Sequence, residues 1–460
     1  MTSPLPLEIV VEPSLSARSS IVALDRVLFY GVLTVLMFGP LAFGAVEPWS
    51  ICIVQVGTAA LLLLWATRQL VAGKVEVEGN PLFLPMLAFA AIVLLQLATG
   101  RTVYRAETFS TALLYGAYAG IGFLVVQISR GASRIRILGW IFSGYALAIA
   151  MFALLQSLAS NGKLYWMRTA QSGGWIYGPY VNHNHYAGLM EMLTPIPLAI
   201  LFTRGVKRSH RGIAALAAAV MASTIFLSGS RGGMIAFAAQ MLMLAALLTK
   251  KSKNWNAALV MAGFAVVALG LLAWLGGSEL LDRIASLQTT AQAELSGGTR
   301  LAIDRDALRM FAQRPLLGWG LGTFPDVYPQ FRSFATNLVV DKAHNDYLQI
   351  LVEMGILGFV PVLWFLVTVY RRALKKLRDW PPDANAAVAL AALLGVSGIL
   401  VHSFVDFNLQ IPANAAFFYA LCVVAAMKPR FALIRHTHRY RRRHSHELID
   451  DCGAATASIG

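Results

Sequence analysis

For most of its length the chain alternates between long apolar runs and short polar breaks. A helix needs about 20 apolar residues to cross the hydrocarbon of a bilayer. About twelve runs fit, roughly 26–46, 49–71, 81–99, 109–129, 136–159, 185–203, 212–230, 232–249, 255–276, 347–370, 386–406 and 409–427. Backbone groups in lipid must pair within their own segment, so each run predicts a helix. Two connections are longer. Asn161–Asn184 carries Tyr165, Trp166, Trp175, Tyr177 and Tyr180, aromatics suited to anchoring at headgroup level. Residues 277–346 form a loop of about 70 residues, and loops that long tend to be functional.

The polar breaks set a direction across the membrane. Counted alternately along the loops, 26 Lys and Arg fall on the side of both termini and 12 on the other. Seven of those 12 lie in the long loop, where charge is a weak orienting signal. The imbalance predicts cytoplasmic termini and an external long loop. The expected order is a cytoplasmic segment 1–25, nine helices over 26–276, the loop 277–346, three helices over 347–427 and a basic cytoplasmic tail 428–460. The first 20 residues lack the basic start and cleavage site of a signal peptide, so the first run is expected to remain in the mature protein.

Composition agrees with this pattern. Hydrophobic residues make up 57% of the chain and charged residues 13%, with mean hydropathy +0.62; soluble domains carry about 25% charged residues. The fold class expected is an all-α polytopic membrane protein. A net charge of +15 would point to nucleic acid in a soluble chain. Here the basic loops follow the positive-inside rule, and the tail KPRFALIRHTHRYRRR suits anionic inner-leaflet lipid. No nucleic-acid partner is expected. Cys52 and Cys422 lie in apolar runs and Cys452 in the tail, which is neither a disulfide framework nor a zinc spacing.

Within the long loop, Thr299 is placed to cap a helix over Arg300–Gln313, with Pro315 ending it. Leu301, Leu308 and Phe311 share one face, which predicts an amphipathic helix on the outer surface. Leu316–Pro329 is turn-rich, with Gly318, Gly320 and Gly322 alternating.

Several polar residues interrupt this pattern at helix ends. Arg231 sits in LSGSRGG between two apolar runs, where small neighbours permit close approach of a ligand. A guanidinium there suits phosphate oxygens. Arg300 follows two glycines at a helix start, another place for an anion; Arg314 and Arg332 are weaker candidates of that kind. His344 titrates near neutrality and is the candidate for proton transfer. Asn345 and Asp346 either orient it or bind hydroxyls; both are also good helix caps, so the cluster reads equally as a helix start. His183, Asn184 and His185 form a second polar cluster, with Glu191 further along the same helix. His402 and Asp406, four apart, share a helix face and are placed to pair with each other. Asp304 and Asp306 look like an Asp-x-Asp metal motif, but on a helix they diverge. No metal and no cofactor are expected.

The combination of LSGSRGG, GGTRLAIDRDALRMFAQRPLLGWGLGTF and KAHNDYLQILVEMGILG, in that order, resembles the O-antigen ligase-related family. FGPLAFGAVEPWS, VNHNHYAGLMEMLTPIPLA and HSFVDFNLQIPANAAFFYALC resemble it too. The family contains bacterial O-antigen ligases and O-antigen or exopolysaccharide polymerases. The resemblance implies a GT-C-like, metal-independent, inverting glycosyltransferase working at the periplasmic face of the inner membrane. Its donor would be an undecaprenyl-diphosphate-linked glycan, and its acceptor lipid A core or a lipid-linked glycan. The family's functional residues would be Arg231, Arg300 and His344. Members often carry a tryptophan where this chain has Asp304. The alternative is a flippase for lipid-linked oligosaccharides, which would predict repeat symmetry and charges around a central cavity. Here the polar residues gather at one face.

Overall fold

The computed structural model describes residues 15–129, 131–169, 176–203, 206–251, 297–335, 339–379 and 384–427. The expected run 255–276, Trp175 and the basic tail lie outside the described residues. Regular structure among the described residues is helical, apart from two isolated β-bridges in the Asn161–Asn184 connection.

The helices are α1 (Leu15–Leu41), α2 (Pro48–Val71), α3 (Phe83–Ala98), α4 (Arg105–Ile128) and α5 (Ala132–Leu158). Next come α6 (His183–Leu193), α7 (Pro195–Leu201), α8 (Arg208–Leu227) and α9 (Arg231–Lys251). The loop helix α10 (Gly297–Gln313) and the short α11 (Phe324–Val327) precede α12 (Asp346–Asp379), α13 (Ala384–His402) and α14 (Pro412–Ala426). Among the described residues, seven helices are long and apolar enough to cross a membrane: α1, α2, α4, α5, α8, α9 and α12. The chain is therefore a polytopic helical membrane protein. The apolar α3, α13 and α14 are shorter; at 1.5 Å per residue they fall short of a hydrocarbon core of about 30 Å. The expected run 185–203 divides into α6 and α7 around Thr194 and Pro195, whose missing N–H cannot continue the helix ladder.

Helix α13 lies at the centre, packed against α6, α7, α9, α12 and α14. Small residues and one amide allow that approach. A Cβ on Gly395 would meet Met192 O at 2.7 Å. Gln240 of α9 donates to Glu191 O of α6 at 2.8 Å and to Leu394 O of α13 at 2.9 Å. In an apolar interior such bonds hold helices together without a hydrophobic drive.

Helix α10 and the following loop make a small core of their own. Ile303, Ala307, Met310, Trp319, Phe324, Tyr328 and Val352 pack together. Two expectations are corrected here. The helix starts at Gly297, so Thr299 lies in its first turn and does not cap it. Its buried face is Ile303, Asp306, Ala307 and Met310, whereas Leu301 and Leu308 are exposed. Asp306 fixes that face by accepting from Ser333 N at 3.0 Å and Ser333 Oγ at 3.1 Å.

The stretch after α10 is threaded into a break in α12. Gly355 has φ 64° and ψ −171°, and the helix ladder opens around it. Val352 O accepts from Trp319 N at 3.0 Å, while Ile356 N donates to Pro315 O at 2.8 Å. The Glu353 carboxylate accepts from Gly322 N at 2.8 Å and Phe324 N at 3.3 Å. The loop thus pairs the backbone groups that the break sets free, the condition for irregular backbone in a membrane protein.

Candidate functional site

Several helix ends and one loop meet at the same end of the bundle: the starts of α6, α9 and α12, the end of α13 and the first turn of α10. Asp406 is at their centre. Helix α13 ends at His402, and Asp406 follows four residues later in the turn that leads to α14. Its Oδ1 lies 3.8 Å from His185 Nε2 and 3.8 Å from His344 Nδ1. Its Oδ2 lies 3.9 Å from Arg300 Nη2. The Arg300 Nη1 donates to Val405 O at 2.6 Å. One buried carboxylate thereby faces two imidazoles and a guanidinium. The expected pairing of His402 with Asp406 does not form. His402 Nδ1 instead lies 2.8 Å from Glu191 Oε1 of α6, and both side chains are buried.

The backbone explains how these groups are held. His344 has φ +52°, a strained conformation for a residue with a Cβ. Strain at a titratable residue in a cleft is typical of functional sites. Asn345 caps α12, its Oδ1 accepting from Tyr347 N and Leu348 N, both at 3.2 Å. Asp346 ties α12 to the turn after α13, accepting from Ser403 Oγ at 2.7 Å and Leu409 N at 3.1 Å. The Phe407 ring lies between the imidazoles of His185 and His344, 4.7 Å from each centroid. Edge-on packing of this kind orients both rings.

Arg231 reaches the same place by another route. It is the first residue of α9, after a turn in which Gly229 has φ +76°. A Cβ on the next residue, Gly232, would meet His402 Nε2 at 2.6 Å and Val405 Cγ2 at 3.0 Å. The Ser-Gly-Ser-Arg-Gly-Gly turn therefore lies directly on the segment that holds Asp406 and Arg300. Arg231 itself is exposed. His183 Nδ1 lies 2.9 Å from Ser228 O and fastens α6 to this turn. Asn184 N donates to Asn182 Oδ1 at 2.8 Å at the start of α6.

Not every expected residue joins the cluster. Arg314 stacks on the Trp319 ring at 4.1 Å and donates to Arg101 O at 3.3 Å. Arg332 is exposed, its N–H bonded to Tyr328 O at 3.1 Å. Asp304 and Asp306 separate: Asp306 braces the loop core, while Asp304 faces Arg300 and Asn345.

The electrostatics follow from burial and charge. Burial lowers the His344 imidazole below its ordinary value; the Asp406 charge opposes this and Arg300 assists it. A buried neutral imidazole is a competent proton acceptor. Burial would raise the Asp406 carboxyl, but His185, Arg300 and His344 around it outweigh that, and it is held well below the usual carboxylate range. Asp304 is pushed up to about 6, by burial, against the opposing Asn345 hydrogen bond and Arg300 charge. Several buried polar atoms here have no hydrogen-bond partner among the described residues: both His185 nitrogens, His344 Nδ1, Arg300 Nε, Asp406 Oδ2 and Asn408 Nδ2. Buried polar groups are nearly always paired, and a group of exceptions in one place marks a site built to bind. Sequence reading missed Asp406 as its centre. The signal available was an acidic residue just past an apolar run.

Comparison with known proteins adds a family. Residues 216–363 match the family described as O-antigen ligase. That range contains Arg231, Arg300 and His344; His185 and Asp406 lie outside it. An uncharacterised protein of Haemophilus influenzae is 23% identical over 247 residues, which cover 49% of this chain and 59% of that relative. The matched stretch therefore spans less than two thirds of the relative's length.

Proposed function

We propose, from the match of residues 216–363 to the family described as O-antigen ligase, that the chain transfers a glycan from an undecaprenyl-diphosphate donor to a sugar hydroxyl. It acts as an O-antigen ligase or as an O-antigen or exopolysaccharide polymerase, at the periplasmic face of the inner membrane with both termini in the cytoplasm. The observation that supports this reading is that Arg300 and His344 lie within 4 Å of Asp406, with the turn that carries Arg231 packed through Gly232 against the same segment.

In this mechanism His344 takes the proton of the acceptor hydroxyl as its oxygen attacks the anomeric carbon. The bond from that carbon to the diphosphate breaks, and the electron pair leaves with the diphosphate. Attack from the opposite face inverts the anomeric centre. Arg300, partly buried, and Arg231, exposed at the start of α9, bear the charge that builds on the leaving group as preorganised cations beside it. Two guanidinium groups serve where a divalent ion would otherwise be required, so the transfer is metal-independent. Asp406 keeps His344 and Arg300 in place without touching substrate. His183, Asn184 and His185 line the same end. Asn345 and Asp346 act through the position of His344.

An apolar cavity of about 380 Å³ supports a lipid-linked donor. Phe89, Val93, Leu113, Tyr115, Phe365 and Phe418 line it, and its polar end is formed by Asp346 and Gln410. A prenyl chain held there would bring its diphosphate to the cluster.

The test is reconstitution with undecaprenyl-diphosphate oligosaccharide and candidate acceptors, with and without chelator. Transfer is expected in both conditions; loss in chelator would refute the metal-free step. His344→Ala is expected to slow transfer by about 10²–10⁴-fold, the usual share of a general base, at normal protein levels. Arg231→Lys should also lose most activity, because an ammonium cannot reproduce a two-pronged phosphate contact. Acceptor choice separates the two activities: lipid A core identifies a ligase, and a second lipid-linked glycan a polymerase.

A further inference from the structure

A second cationic cavity lies at the opposite end of the bundle. The start of α1, the ends of α2 and α4 and the start of α5 meet there. The far ends of α1 and α5 meet each other, Tyr165 of the α5–α6 connection donating to Leu41 O at 2.6 Å, and Gly44 O beyond α1 accepts from Ala413 N at 3.0 Å, at the start of α14 that follows Asp406. The cavity measures about 210 Å³, and Asp25, Trp65, Arg68, Gln69, Gln127 and Arg134 are among the residues that line it.

Its walls are fixed. Gln69 Nε2 donates to Glu76 O at 3.3 Å and its Oε1 accepts from Glu76 N at 3.2 Å. Gln127 Nε2 donates to Glu78 O at 3.0 Å and its Oε1 accepts from Glu78 N at 2.9 Å. These two pairs pin the α2–α3 connection beside the cavity. Arg134 Nη1 donates to Ile128 O at 3.0 Å, which aims its guanidinium at the end of α4.

The charges do not balance. Arg68 Nε donates to Asp25 Oδ1 at 3.1 Å, but its Nη1 is buried and has no hydrogen-bond partner among the described residues. The Arg68 side chain is only 14% exposed. Two guanidinium groups thus face one carboxylate, and a buried charged donor is left open. Leaving such a donor unpaired is costly. An anion with oxygens spaced for a guanidinium fork would satisfy it.

We propose that this cavity binds a phosphate group, supplied by an anionic phospholipid headgroup or by the free ion. Its volume suits one phosphate and a short headgroup and not an oligosaccharide. The site is separate from the His344 cluster and does not depend on the transfer reaction.

The test uses the full-length protein in a neutral detergent at fixed ionic strength. Phosphatidylglycerol, phosphatidylcholine and sodium phosphate are titrated separately, with binding read from the thermal midpoint and from adducts in native mass spectrometry. Phosphatidylglycerol is expected to raise the midpoint and remain bound, and phosphatidylcholine to do neither. Arg134→Gln should weaken that binding at least about tenfold, the size of one lost charged hydrogen bond. Arg68→Gln should do the same, and Arg68→Lys should restore part of it. Arg136→Gln, exposed and outside the cavity, should bind as the unaltered chain does. A shift with sodium phosphate alone would assign the site to the free ion. Failure of both phosphatidylglycerol and sodium phosphate to bind would overturn the proposal. So would unchanged binding in a folded Arg134→Gln protein.

Discussion

Asp406 determines the charge state of everything around it. Its carboxylate is the negative group placed within 4 Å of His185, His344 and Arg300. Removing one partner from such a buried set typically costs about 3–5 kcal/mol. Asp406→Asn is therefore expected to lower both the thermal midpoint and transfer. The pH profile adds a direction. His344 acts as a base only when neutral, and burial holds its titration below that of a free imidazole. Transfer should rise with pH through an acidic limb lying below about 6.5, the ordinary histidine value, and level off by neutrality. The Asp406 charge favours protonated His344, so Asp406→Asn should move that limb to lower pH while reducing the plateau. A limb that moved upward would separate Asp406 from His344. Asp304, pushed up to about 6, titrates nearby, and Asp304→Asn identifies its share of the profile. At this scale the sequence marked His344, Arg231 and Arg300 through their types and surroundings. It did not show that Asp406 turns away from His402, because that choice depends on Glu191, 211 positions away.

Among the elements, the break in α12 and the loop threaded into it are the most constrained. Gly318, Gly320 and Gly322 have φ +69°, +119° and +82°. A Cβ on Gly320 would run into the Thr102 side chain and come within 3.0 Å of Thr108 Oγ1. Gly320→Ala combines that clash with backbone strain of about 1–3 kcal/mol. It is expected to lower the thermal midpoint by several degrees and to reduce transfer in parallel, since the same loop supports His344 through α12. A Cβ on Gly144 of α5 would have open space around it, with no atom within 4 Å. Gly144→Ala should be neutral or stabilising by up to about 1 kcal/mol, so the pair separates local strain from loss of a glycine as such. Helix positions were legible because apolar runs of membrane length admit few other structures. The face of α10 was not. Leu301 and Leu308 looked like its core side, yet Ile303, Ala307 and Met310 fill it. A helix with apolar residues on two faces leaves that choice to the partner surface, here the loop core and Val352 of α12.

At the level of the whole molecule, the two ends of the bundle differ in chemistry. One gathers His185, Arg231, Arg300, His344 and Asp406 from segments more than 200 residues apart. The other holds the cavity of Arg68 and Arg134. Sequence pattern is local, so it places each of these residues at a helix end and not beside the others. The count of basic residues supplies what the fold of a single chain lacks, a direction across the membrane. From it we propose that the His344 end faces the periplasm, and this is tested by labelling. In a background with Cys52, Cys422 and Cys452 replaced, Arg332→Cys and Lys375→Cys each put one thiol at an exposed position. Arg332 lies in the loop that precedes His344, and Lys375 in the last turns of α12, further from Asp346 than the about 20 residues needed to cross the hydrocarbon. A maleimide that cannot cross membranes is expected to label the Arg332→Cys protein in intact spheroplasts and the Lys375→Cys protein only after permeabilisation. The reverse pattern would turn the protein over and move transfer to the cytoplasmic leaflet. It would also contradict the positive-inside rule, under which the more basic loops stay in the cytoplasm.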